Sequence, residues 1–204
     1  MPSILIIVEG EGDREAAPLL CRRLLGELHG AYDWSFVTHR RGSIANLKAN
    51  NYAHFRRFLQ AGYKEGMPIL WMLDNDENDC ARFLVTEFYE HVNSIGVQQP
   101  LAFCLWTREY ETMFLYDPEF VATKLGIQKL SIPDSPENRR GAKELLSKQM
   151  PRGHGYKETV NQPALTAGIS LERLKENYGS FQHFERALIW LTQRARPELY
   201  PLRA

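Results

Sequence analysis

The sequence predicts an α/β fold, a mainly parallel sheet flanked by helices and followed by a helical C-terminal extension. Three observations carry this. Apolar runs of strand length recur at residues 4–8, 69–73 and 101–106. Helical stretches with apolar residues three and four apart separate them, as crossovers between parallel strands require. Beyond residue 117 strand-like runs stop, and prolines punctuate short helical segments.

The first strand covers residues 3–8 and turns at Gly10 and Gly12 into a helix capped by Asp13. Ala16, Leu19, Leu20, Leu24 and Leu28 fall at helical spacing on it, and Gly30 ends it. Residues 34–39 alternate as a second strand, and residues 52–59 form a helix with Phe55, Phe58 and Leu59 on one face. A third strand spans 68–74. A helix over 79–94 places Phe83, Leu84, Phe88 and Val92 on its packed face, and a fourth strand follows at 101–106. In the second part, helices are expected near 170–177 and 181–195, the last capped by Ser180 with Phe184, Leu188 and Leu191 as its apolar stripe. Residues 1–117 read as the core and 118–204 as an extension packed on it in one unit.

Composition excludes several classes. Lys plus Arg and Asp plus Glu both number 25, so the chain is formally neutral and not a strongly basic nucleic-acid binder. Any contact with nucleic acid must be local, at Arg22-Arg23, His39-Arg40-Arg41, Arg56-Arg57 or Arg139-Arg140, each of which also reads as a solvated face. There is no membrane-length apolar stretch and no signal-peptide pattern at the start, so a cytoplasmic location is expected. Cys21, Cys80 and Cys104 are odd in number and widely spaced, which argues for reduced thiols and against a disulfide framework or a zinc site. The sequence carries no sign of an oligomeric state.

The chemistry sits where strands end. The first strand leads into Glu9-Gly10-Glu11-Gly12-Asp13, and the third into Asp74-Asn75-Asp76. If the two are parallel neighbours, their C-terminal ends share the edge where open α/β folds place ligands, and Glu9, Asp74 and Asp76 converge there. Three carboxylates ~5 Å apart at an effective dielectric near 20 repel by about 3 kcal/mol per pair, a cost on the order of 10 kcal/mol for the cluster unless cations or protons neutralise it. Asp74 and Asp76 are two apart, so an extended backbone puts both on one side, a hard-donor arrangement suited to Mg²⁺ or Mn²⁺. Past the fourth strand, Arg108-Glu109-Tyr110-Glu111 begins a helix whose Glu111 can point back to the same rim. Lys157 follows a glycine-bearing loop able to swing a cation onto a phosphate. On spacing alone, a surface acid is the default reading of Glu9 and an ordinary surface lysine that of Lys157, while Glu111 reads equally as a salt-bridged helix start. A dinucleotide fingerprint, a P-loop, His-Glu-x-x-His and Gly-x-Ser-x-Gly are all missing, which removes those readings.

Glu9-Gly10-x-x-Asp13 after a first strand, with Asp74-x-Asp76 after a later one, resembles the Toprim domain of topoisomerases, primases and OLD-family nucleases. The run Val8-Glu9-Gly10-Glu11-Gly12-Asp13, the segment Arg108-Glu109-Tyr110-Glu111 and the tail from Tyr156-Lys157 to Ser180-Phe181 also resemble a small Toprim-like bacterial family of unknown function. The resemblance implies a Toprim, Rossmann-like core and a Mg²⁺-dependent nuclease acting on nucleic acid, DNA first. It implies that Glu9 transfers a proton or ligates metal and that Asp74 and Asp76 hold Mg²⁺ (or Mn²⁺). Glu111 and Lys157 then match the further acid and lysine of a two-metal site, Glu109 and Asp79 are neighbours, and Arg108 and Lys157 contact substrate phosphate. The ATPase domain that precedes Toprim in OLD proteins is missing, so the resemblance further implies an ABC-type ATPase partner and a role in phage defence. The alternative is a non-catalytic binding or regulatory subunit of such a complex. A receiver-like phospho-acceptor fits less well, because the order of paired and single acids is reversed.

Overall fold

In the computed structural model, residues 1–62, 66–76, 80–132 and 135–195 are described, with the side chains of 60–62 set aside. Four strands form one wholly parallel sheet: β1 (Ser3–Val8), β2 (Ser35–Arg40), β3 (Ile69–Asn75) and β4 (Leu101–Thr107), in the order β2-β1-β3-β4. The α/β, Rossmann-like class expected from the sequence is the observed one. The chain leaves β1 toward β2, then returns past β1 to reach β3. The connections therefore reverse direction between β1 and β3, where the C-terminal ends of an open sheet leave a crevice.

Alternation along the strands divides the core into two layers. Ile4, Ile6, Val8, Leu70, Met72, Cys104 and Trp106 face one side of the sheet; Leu5, Ile7, Ile69, Trp71, Leu73, Phe103 and Leu105 face the other. The second face is covered by α2 (Ile44–Gly62) and α3 (Ala81–Ser94), with Phe55, Phe88, Trp71 and Phe103 in mutual ring contact. The first face is covered by α1 (Asp13–Arg23), which continues as a π-helical turn over Leu24–Leu28, and by the C-terminal helices. After a 3₁₀ segment at Tyr110–Tyr116 come α4 (Pro118–Leu125), α5 (Ala142–Gln149), α6 (Glu158–Thr166), α7 (Leu171–Asn177) and α8 (Gly179–Ala195). Phe181, Phe184, Leu188 and Leu191 of α8 enter the same core as β1, β3 and β4. The helical extension thus completes the sandwich by covering a sheet face that α1 alone leaves open. Among the described residues no helix is long and apolar enough to cross a membrane.

Four local expectations are corrected. Gly12, not Asp13, precedes the first turn of α1 as its cap, and the Asp13 carboxylate accepts from the Gly10 N–H at 2.7 Å. Ser180 lies inside the first turn of α8, where its Oγ accepts from the Thr107 N–H at 3.1 Å and meets Thr107 Oγ1 at 2.7 Å, tying the helix to the end of β4. Phe83 is 78% exposed, because Leu84, Phe88 and Val92 at intervals of four define the buried face of α3 and Phe83 lies one position off it. The helix expected over 52–59 starts just past Tyr52, and a separate short helical segment from Ile44 precedes it; between the two, Asn50, Asn51 and Tyr52 take left-handed backbone angles (φ 52°, 53° and 61°). Asparagine tolerates that region; Tyr52 is held in it by edge contact with Phe88 and stacking on His91.

Candidate functional site

Because β1 and β3 are hydrogen-bonded neighbours running in one direction, Val8 lies opposite Met72 and the residues that follow both strands meet at the crevice. Asp74 is the last residue but one of β3, and its N–H donates to Glu9 Oε2 at 3.4 Å. Its own Oδ1 accepts from the Tyr110 N–H at 2.9 Å, so one carboxylate links the end of β3 to the 3₁₀ turn beyond β4. That turn carries Glu111, which is 2% exposed. Asp76 sits on the exposed turn after β3.

Glu9, Asp74 and Asp76 stand between two cavities. One, of about 160 Å³, is closed by Asp13, Glu109, Glu111 and two helices of the extension that contribute Lys143, Glu158 and Gln162. The other, of about 240 Å³, opens toward Ser43, Ile44, Lys48 and Leu84. Among the described residues that line the smaller cavity, seven carboxylates face one cation, Lys143. Its Nζ donates to Glu158 Oε1 at 2.6 Å. Gln162 Nε2 donates to Asp13 Oδ1, which together with the Gly10 bond fixes the Asp13 carboxylate. Glu109 Oε1 accepts from the Ala142 N–H at 2.6 Å and so anchors the start of α5, the helix that carries Lys143. Gly12 allows this closure: a Cβ there would collide with Gln162 Oε1 and lie 3.0 Å from the Glu158 backbone.

The electrostatics follow from burial. Loss of water, reinforced by Asp76 and Asp13 and opposed by the Asp74 N–H, pushes the Glu9 carboxyl up to about 7. Burial likewise pushes Glu111 up to about 8; Lys143 opposes this, while Asp13 and Glu109 add repulsion. Asp74 is raised well above the ordinary carboxylate value by burial and then by repulsion from Asp13, Glu111, Glu9 and Asp76. Burial works against the charge on Lys143, but Glu111 and Glu158 overcome it and hold its pKa above the ordinary lysine value. The cluster therefore holds protons near neutral pH or needs added positive charge.

All donors are hard carboxylate oxygens, the chemistry Mg²⁺ or Mn²⁺ selects. Among the described residues no three acids are gathered as a ready-made metal cage. That spacing still suits an ion that keeps several waters and takes only one or two protein carboxylates. Asp74 with Asp76, and Glu9 beside them, fit the role in donor type and position.

The structure brings Glu9, Asp74, Asp76 and Glu111 together. It does not bring Lys157, whose exposed side chain lies outside the cavity and whose N–H caps α6 by donating to Asn161 Oδ1 at 2.6 Å. The next residue, Glu158, turns inward instead, and the lysine of the site is Lys143 on α5. Arg108 reaches the rim through Nη1, which donates to the Asp76 carbonyl at 3.0 Å. Asp79 lies outside the described residues. Sequence reasoning missed Lys143, Glu158 and Gln162 and gave Asp13 only a capping role. The four-residue spacing of Glu158 and Gln162 marks one helix face, whereas nothing local distinguishes Lys143.

No curated protein and no solved structure matches the chain. One family, described as Domain of unknown function (DUF4276), matches residues 8–189, a span that holds every described side chain of the acidic site. The chain belongs to the DUF4276 family.

Proposed function

We propose that this protein is a metal-dependent phosphodiesterase of Toprim or OLD type that cleaves nucleic acid. The observation that supports it is the convergence of Glu9, Asp74, Asp76 and Glu111 on one lysine at the C-terminal edge of a parallel sheet, where the chain reverses its crossover direction. In this reading Asp74 and Asp76 hold Mg²⁺ or Mn²⁺. When bound, the ion supplies Lewis-acid polarisation of the phosphate and lowers the pKa of attacking water. Glu9, with its carboxyl near 7, is matched to proton transfer at neutral pH and stands beside Asp74. Glu111 is a further acid at the inner wall. Lys143, kept charged by Glu158 and Glu111, offsets negative charge that grows on the phosphoryl oxygens in the transition state. Asp13, fixed by Gly10 and Gln162, adds negative charge that helps raise the Glu9 carboxyl.

Resemblance to OLD-type nucleases supports two wider elements of the proposal, DNA as the first substrate and an ABC-type ATPase partner in phage defence; the lack of a signal-peptide pattern and of a membrane-length apolar stretch supports a third, a cytoplasmic location. The formal neutrality of the chain suits a subunit that borrows part of its grip on DNA.

Purified protein is incubated with supercoiled plasmid, linear duplex, single-stranded DNA and RNA under Mg²⁺ or Mn²⁺, beside Asp74→Asn and Glu9→Gln. Metal-dependent cleavage that falls by a factor on the order of 10² or more in both variants supports the proposal. Metal binding by calorimetry without cleavage of any substrate favours the non-catalytic subunit. Absence of both overturns the metal-dependent reading.

A further inference from the structure

The strand order β2-β1-β3-β4 sets the four C-terminal ends in a row along one edge of the sheet. The residues met along that row are Arg40 at the end of β2, Glu9 after β1, Asp74 and Asp76 at β3, and Arg108 after β4. Neighbouring strands lie about 4.8 Å apart, so the two arginine positions are separated by about 14 Å, with the acids between them.

Both guanidinium groups are oriented by main-chain carbonyls of the acidic loops. Arg40 Nε donates to the Glu9 carbonyl at 3.1 Å, and Arg108 Nη1 to the Asp76 carbonyl at 3.0 Å. A carbonyl partner fixes direction without neutralising charge. The ion pair described for either is Arg40 with Glu11, at 3.7 Å between side chains that are 58% and 50% exposed. Such a surface pair is worth under about 1 kcal/mol and yields readily to a phosphate. Arg108 adds two signs of a residue held for a ligand. Its backbone is left-handed, at φ 69°, a conformation that is costly for a side chain of this size. Its Nε is buried with no hydrogen-bond partner among the described residues, and a buried guanidinium N–H left unpaired is unfavourable.

We infer that a nucleic-acid strand lies across the edge of the sheet from β2 to β4, with flanking phosphates on Arg40 and Arg108 and the scissile phosphate over the acids between them. The inference rests on the phosphodiesterase reading and deepens it. A substrate bound this way carries phosphates on both sides of the bond that is cut. The site therefore takes internal phosphodiesters of a chain, not a mononucleotide or a terminal phosphate. Two arginines at the ends of a short row also supply a local grip that a neutral protein otherwise lacks.

The test measures binding of labelled single strands about twelve nucleotides long, in DNA and RNA, by anisotropy between about 50 and 200 mM NaCl, with Ca²⁺ replacing Mg²⁺ to hold back cleavage. Wild type is compared with Arg40→Gln, Arg108→Gln and Arg40→Lys. Each glutamine variant is expected to weaken binding about tenfold and to lower the salt slope by about one, while Arg40→Lys recovers most of the slope. Arg40 is on an edge strand, so its variants carry the test even if Arg108→Gln fails to fold. Wild-type turnover of bis(p-nitrophenyl) phosphate with Mn²⁺, a diester too short to span the row, judges the parent reading separately. If wild type hydrolyses that diester and the Arg40 variants bind strands with unchanged affinity and slope, the inference is overturned and the phosphodiesterase reading stands. If wild type neither hydrolyses the diester nor binds the strands, both fall.

Discussion

Replacing Glu111 with glutamine should stabilise the metal-free protein, and by an amount that depends on pH. Glu111 is almost fully buried, and its carboxyl is pushed from 4.5 to about 8. At about 1.36 kcal/mol for each pH unit, that displacement weighs about 5 kcal/mol against the folded protein once the group is ionised. Below pH 4.5 folded and unfolded chains both hold the proton. Between pH 4.5 and about 8 the folded chain keeps a proton that the unfolded chain has lost, so stability falls as pH rises through this window. Glutamine does not titrate and escapes the loss. Urea unfolding of wild type and Glu111→Gln in EDTA should therefore show a small gap near pH 5 that widens to several kcal/mol, toward about 5, near pH 9. Mg²⁺ at about a hundred times its Kd should add about 2.7 kcal/mol to wild type and to the variant alike, since both keep Asp74 and Asp76. A gap that stays constant from pH 5 to pH 9 would refute the reasoning, because a packing change alone has no proton to lose.

Gly12→Ala drives a methyl group into Gln162 and the backbone of α6, so it should cost about 1–3 kcal/mol in urea unfolding; an unchanged midpoint would mean that α6 does not sit on the β1–α1 turn. Lys143→Met should reduce phosphodiester cleavage by a factor on the order of 10²–10³, while Lys157→Met stays within a few-fold of wild type; the reverse order would return the role to the glycine-bearing loop.

Much of the sheet was legible because strand patterns are local. Ile4 to Val8 and Ile69 to Leu73 are unbroken apolar runs, as strands buried on both faces must be, and the acids that end them mark one edge. Helix ends were harder. Whether Asp13 caps its helix or holds the Gly10 N–H, and whether Ser180 caps α8 or bonds to Thr107, depends on partners that spacing does not reveal. The break at Asn50, Asn51 and Tyr52 was hidden for the same reason, since the tyrosine is kept in a disfavoured conformation by rings from α3.

By itself the sequence determined the fold class and three acids of the site, Glu9, Asp74 and Asp76, because strand ends and the residues that follow them are adjacent in the chain. Tertiary structure decided what surrounds those acids. Gln162 reaches Asp13 across 149 positions, and Lys143, not Lys157, enters the cavity. That choice follows from how α5 and α6 pack: Glu109 anchors the first turn of α5, and Gly12 admits α6. Lys157 is the extended residue before α6 and Glu158 the first residue of the helix, so one step along the chain exchanges a cation facing solvent for an acid facing the site.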